Sequence, residues 1–232
     1  MNRREFVTGG IASAAGLCLP FNISFSQTVP GIELFLFLDW SDSMYHQFYP
    51  RATQNYLTQR DGHLAALQDD GIQKMLISQR TFVRVILWAG SVNEIVPIFQ
   101  GRMETLEDIS RLSEAIRRKV PDYSSHSGKT DHFTPLVYAE SVPLSAKRRI
   151  IDISTDQEIN PLLTDLCRKL KDKLNREMKT EINVLAIGVD KEGVEILSKN
   201  LLTPKGFIEQ ISSWKRYIPA IKRKIVKELK LI

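Results

Sequence analysis

The sequence predicts an α/β fold: a doubly wound, mostly parallel sheet with one antiparallel edge strand and helices on both faces. Three observations lead there. Strand and helix patterns alternate from about residue 30 to the end of the chain. The strand segments are near-continuous apolar runs, the mark of parallel strands buried on both faces. One strand segment, EIVPIF, contains Pro97, and proline, which cannot donate to a ladder, belongs at a sheet edge.

The elements follow in order. Gly31–Asp39 reads as the first strand, with Ile32, Leu34, Phe35, Leu36, Phe37 and Leu38. Tyr49–Gln68 and Gly71–Ile77 read as helices, Thr81–Trp88 as a strand and Glu94–Phe99 as the edge strand. Leu106–Arg118 is an amphipathic helix and Asp131–Glu140 another. Arg149–Ser154 is a strand, Pro161–Met178 a helix, Ile182–Val189 a strand and Glu192–Asn200 a short helix. A weak strand, Gly206–Ile211, and a helix over Ser212–Leu229 complete the pattern. Such an order makes an open, mostly parallel sheet with helices on both faces.

The chain has 232 residues, 43% hydrophobic and 25% charged, enough for one domain with a real core. Its net charge of +5 comes largely from RKLKDKLNR (Arg168–Arg176) and KRKIVKELK (Lys222–Lys230). Both runs are interleaved with apolar residues at helical spacing, so they read as solvated helix faces. No aromatic-rich basic module accompanies them, which argues against nucleic acid as a partner.

The N-terminus reads as a targeting segment. Arg3 and Arg4 precede Phe6 and an apolar stretch from Ile11 to Leu19, too short for a membrane span of ~20 residues and suited to a secretory signal. The paired arginines resemble a twin-arginine export motif. Ser24-Phe25-Ser26 supplies small residues for cleavage before Gln27. The expectation is a signal over residues 1–26 and a single domain over 27–232, periplasmic or secreted as a bacterial twin-arginine export substrate, without a membrane span in the mature chain. Cys18 would leave with the signal. Cys167 would then stand alone as a small core residue, and the mature fold would have no internal disulfide.

The first strand ends in FLFLDWSDSM, where an apolar run gives way to Asp39, Ser41, Asp42 and Ser43. Isolated buried carboxylates are costly unless paired or bound to a metal, and ligands of open α/β sheets sit at the carboxyl ends of the strands. In a loop continuing a strand, positions 39, 41 and 43 can face one side, gathering hard oxygen donors of the kind magnesium and manganese take. Three oxygens are too few for near-octahedral magnesium. Thr130, in SGKTDHFTPLVYA, and Asp156, after the strand RRIIDISTD, add two more from other strand ends.

Asp-x-Ser-x-Ser, then Thr, then Asp, resembles the metal-ion-dependent adhesion site of von Willebrand factor A-type domains. The resemblance runs through INVLAIGV to the closing helix and points to an exported bacterial branch of unknown function. It implies a von Willebrand A-like fold and a metal set of Asp39, Ser41, Ser43, Thr130 and Asp156. Ser41 and Ser43 would bind through their hydroxyls, Thr130 directly or through water, and Asp39 and Asp156 partly through water. A Mg2+ or Mn2+ ion held there would keep one position for an acidic group of a partner protein. The expected function is thus an exported protein-binding module and no enzyme. Trp40, Asp42 and Lys129 depart from the usual pattern of that branch.

Other readings are weaker. Gly128-Lys129-Thr130 lacks the earlier glycine of a phosphate loop, position 123 being tyrosine. His46, His126 and His132 have no zinc-ligand spacing; a hydrolase would have to use His126 or His132 as base, and no Gly-x-Ser-x-Gly elbow occurs. Asp152, inside a strand, either supports the site from behind or bonds to neighbouring backbone. The rival reading is a structural interaction protein with a vestigial metal site, binding through the basic helix face at Lys222–Lys230.

Overall fold

The computed structural model describes residues 29–41, 50–90, 95–120 and 130–230. Among these, six strands form one sheet: β1 Ile32–Asp39, β2 Phe82–Trp88, β3 Val96–Arg102, β4 Arg148–Thr155, β5 Thr180–Ile187 and β6 Ile208–Ile211. Their order is β3-β2-β1-β4-β5-β6. All neighbouring pairs are parallel except β2 and β3. The helices are α1 Pro50–Leu67, α2 Asp70–Ser78, α3 Leu106–Lys119, α4 Phe133–Ser141, α5 Thr164–Met178, α6 Lys191–Leu201 and α7 Tyr217–Lys230.

Side chains alternate across the sheet with period two. On β1, Ile32, Leu34, Leu36 and Leu38 join a core with α1, α2, α3 and α7, while Phe35 and Phe37 join one with α4, α5 and α6. Every residue of β1 is buried, as its nearly continuous apolar run requires. The exception in that run is Glu33, fully buried and paired with the equally buried Arg149 at 2.7 Å. Arg149 also donates to the carbonyls of Ala139, Val142 and Pro143, so one guanidinium ties the end of α4 to the sheet.

The observed edges differ from the expected ones for physical reasons. β3 runs on to Arg102 because its backbone pairs with β2, the register shifting between Val85 and Ile86 opposite Pro97 and Phe99; a bulge is where an edge strand tolerates proline. β5 ends at Ile187 because Gly188 turns the chain with φ +68°, a conformation open to glycine. The helix expected from Pro161 opens as a 3-10 turn, Pro161–Leu163, with the Asn160 side chain accepting from Leu162 N at 3.0 Å. The run Lys222–Lys230 is not wholly a solvated face: Lys224 is fully buried, and Arg223, Lys227 and Lys230 are exposed.

Candidate functional site

β1 has β2 on one side and β4 on the other, so the chain leaves β1 and β4 in opposite directions. The crevice at their carboxyl ends is the topological switch point of the sheet. Phe37 pairs with Ile153, and continuing that register sets Asp39 level with Thr155, one residue before Asp156.

The end of β1 is anchored from α1. The Gln59 amide accepts from Asp39 N at 3.1 Å and donates to Asp39 O at 2.9 Å, while Trp40 N donates to Trp88 O at 2.8 Å. The Asp39 carboxyl accepts from Ser41 N through Oδ1 at 2.9 Å. Its Oδ2 is buried without a hydrogen-bond partner among the described residues. Burial, and then the charge of Asp156, push the Asp39 carboxyl up to about 7. Across the crevice, Thr130 Oγ1 donates to Ser41 Oγ at 2.9 Å, bringing hydroxyls 89 positions apart in sequence into contact.

Behind Thr130 the chain enters α4. Asp131 caps it, its carboxylate accepting from Phe133 N at 2.8 Å and from the Thr134 hydroxyl at 3.3 Å. The His132 ring is fully buried, with Nε2 3.0 Å from Thr155 Oγ1 and its plane tilted 57° against Trp88 at 5.6 Å. Burial lowers its pKa to about 4, so the imidazole is neutral and bound into the wall. A groove of about 470 Å³ opens beside Asp156, lined also by Glu158, Gly188 and Asp190.

Of the five residues expected to form the metal set, Asp39, Ser41 and Thr130 are buried together here and Asp156 is half-buried beside them. Ser43 lies outside the described residues, as do Asp42, His46, His126 and Lys129. Sequence reasoning missed Gln59, whose only signal is a polar residue on the apolar face of α1, and the Thr155–His132 pair. Asp152 does not reach the crevice: it turns to the other face of the sheet and meets Lys224. Cys167 is buried and its thiol pushed up to about 12 by burial and by Asp131, as a core residue would be.

Comparison with known proteins places the fold. Residues 29–232 match the model of the family described as "Protein of unknown function (DUF1194)". No curated protein matches the chain. Among solved structures, a von Willebrand factor type A protein from Catenulispora acidiphila is 18% identical, with a TM-score of 0.59 over 87% of this chain and 43% of that one. The pilus adhesin SpaC from Lactobacillus rhamnosus GG is 12% identical, with a TM-score of 0.59 over 88% and 31%. Proximal thread matrix protein 1 from the mussel byssus, solved with a zinc-occupied MIDAS motif, is 14% identical, with a TM-score of 0.56 over 85% and 46%. The chain spans less than half the length of each of these three, and at such identities the likeness is one of fold. The chain belongs to the family of proteins of unknown function DUF1194, built on the von Willebrand factor A fold.

Proposed function

We propose that the chain is an exported protein-binding module that holds a divalent cation at the β1–β4 crevice and uses it to grip an acidic group of a partner protein. The observation that carries this reading is the convergence at Asp39. A buried carboxyl with an orphaned oxygen stands beside two hydroxyls in mutual contact, and the negative charge of Asp156 raises its pKa. All the donors are hard oxygens, suited to magnesium or manganese. Asp39, Ser41, Ser43, Thr130 and Asp156 would hold the ion. When bound, it supplies positive charge to the two acids and an open position for a carboxylate.

The chain's own residues do the positioning. Gln59 fixes the backbone of Asp39, Ser41 N orients its carboxyl, and the Asp131 cap sets the start of the helix that follows Thr130. The similarity to a pilus adhesin and to a matrix protein with an occupied MIDAS supports an extracellular binding role. The Arg3-Arg4 leader supports export by the twin-arginine route, with residues 27–232 as the single mature domain. No described helix is long and apolar enough to cross a membrane.

Thermal unfolding with chelator, then with magnesium or manganese, tests the site. An ion at 100 times its Kd stabilises the folded state by about 2.7 kcal/mol, a rise of roughly 5–10 °C for a domain of this size. Ser41→Ala is expected to abolish the rise. A wild-type protein whose melting temperature ignores both ions at millimolar concentration overturns the reading.

A further inference from the structure

On the other face of β4, away from the crevice, lies a second cluster of charged groups. Lys224 and Glu228 sit one turn apart on the apolar stripe of α7, and both are fully buried. Asp152, in the middle of β4, is 1% exposed. Lys224 Nζ is 2.6 Å from Asp152 Oδ1 and 2.8 Å from Glu228 Oε1. The other oxygens of the two acids, Asp152 Oδ2 and Glu228 Oε2, are buried without a hydrogen-bond partner among the described residues.

One cation thus faces two carboxyl groups in a core shared with Leu36, Ile150, Ile225 and Leu229. Two full charges of one sign are not sustained there. Burial first, and then the charge of Asp152, push Glu228 up to about 8, so Glu228 is the protonated member at neutral pH. Its proton, shared with Asp152, answers both orphaned oxygens. An ammonium, a carboxylate and a neutral acid are therefore locked in contact away from solvent. Nζ can lie no farther from Asp152 Cγ than its 2.6 Å contact plus one C–O bond, about 3.8 Å, close to the separation of reacting atoms in a near-attack arrangement.

We propose that Lys224 and Asp152 condense into an intramolecular amide, with Glu228 as the proton shuttle. A proton passes from the Lys224 ammonium to the Asp152 carboxylate, leaving neutral amine and neutral acid. The nitrogen lone pair attacks Cγ and forms the C–N bond. Glu228 gives its proton to the departing hydroxyl and takes one from the nitrogen, so it ends as it began. The C–O bond breaks and one water leaves; nothing is oxidised or reduced. In water the separated ions are favoured by their hydration. In the core each bare ion carries a desolvation cost, and the amide removes both charges. The product is a covalent tie from the last helix to the central strand that leads to Asp156.

Intact mass of the denatured full chain, with peptide mapping, decides the matter. The expected mass is about 18 Da, one water, below that of the sequence with the same N-terminus. The map should contain a branched peptide joining Lys224 to Asp152, with trypsin failing to cut after Lys224. Lys224→Arg and Glu228→Gln should both restore full mass, the second with an unchanged circular dichroism spectrum. A wild-type chain at full mass overturns the proposal, and it does so whether or not either variant folds. A missing water that maps to a succinimide at Asp61-Gly62 overturns it equally. A Glu228→Gln chain that still carries the branch overturns the role given to Glu228.

Discussion

Replacing Asp39 with asparagine separates the charge of this carboxyl from its shape. The asparagine keeps an oxygen for Ser41 N and puts an amide nitrogen where Oδ2 stands without a partner. In the metal-free protein the wild-type carboxyl is displaced from 3.8 to about 7. A folded-state pKa above the unfolded one means that the native state holds its proton more tightly. The associated stability is complete below about pH 4 and is lost as the pH rises through about 7. At 1.36 kcal/mol per pH unit, the displacement corresponds to about 4 kcal/mol at pH 8. Asparagine carries no such loss. In chelator at pH 8, Asp39→Asn is therefore expected to be more stable than wild type by up to ~4 kcal/mol, on the order of 10 °C in melting temperature. At pH 4 the advantage vanishes. With magnesium the order reverses, because only wild type gains from the ion. Denaturant unfolding of both proteins at pH 4, 6 and 8 in chelator gives the difference free of other titrating groups. A variant less stable than wild type at pH 8, or a difference that does not change with pH, refutes the account of Asp39 as a carboxyl poised for a cation.

Other changes test how the site is held. Gln59→Ala leaves the N–H and C=O of Asp39 without their amide partner, and a loss of about 2–4 kcal/mol is expected in denaturant unfolding. Arg149→Leu takes away the partner of Glu33 Oε2, while Arg84 and Ser145 stay on Oε1, and it frees the carbonyls at the end of α4, at a cost of about 2–4 kcal/mol, measurable the same way. Gly206→Ala places a Cβ 2.1 Å from the carbonyl oxygen of Ile182. Backbone on both sides cannot yield cheaply, so a drop of roughly 1–3 kcal/mol is expected, seen as earlier melting.

Much of the fold was legible because its signals are local. Unbroken apolar runs such as Leu34–Leu38 can satisfy only a strand covered on both faces, and Pro97 can sit only where a ladder has an edge or a bulge. Asp39, Ser41, Thr130 and Asp156 were legible because each stands at the carboxyl end of a strand or at the start of the helix beside it, and chain order alone brings those ends to one side of a parallel sheet. The sequence by itself thus determined the layers, the edge strand and the side of the sheet that carries the crevice.

Only the tertiary structure decided the pairings that join distant residues. Lys222–Lys230 shows a helical period but not which lysine lies beneath it, since a rotation of only about 100° separates the solvated Arg223 from the buried Lys224. Whether Asp152 faced the crevice or the core depended on the parity of β4, which sends Thr155 to His132 and Asp152 to Lys224. Gln59 reaches the end of β1 because α1 packs over it, 20 positions away in the chain. Periodicity fixes the faces of an element, but a buried charge or amide finds its partner only when two elements meet, and the cost of leaving it unpaired selects that meeting.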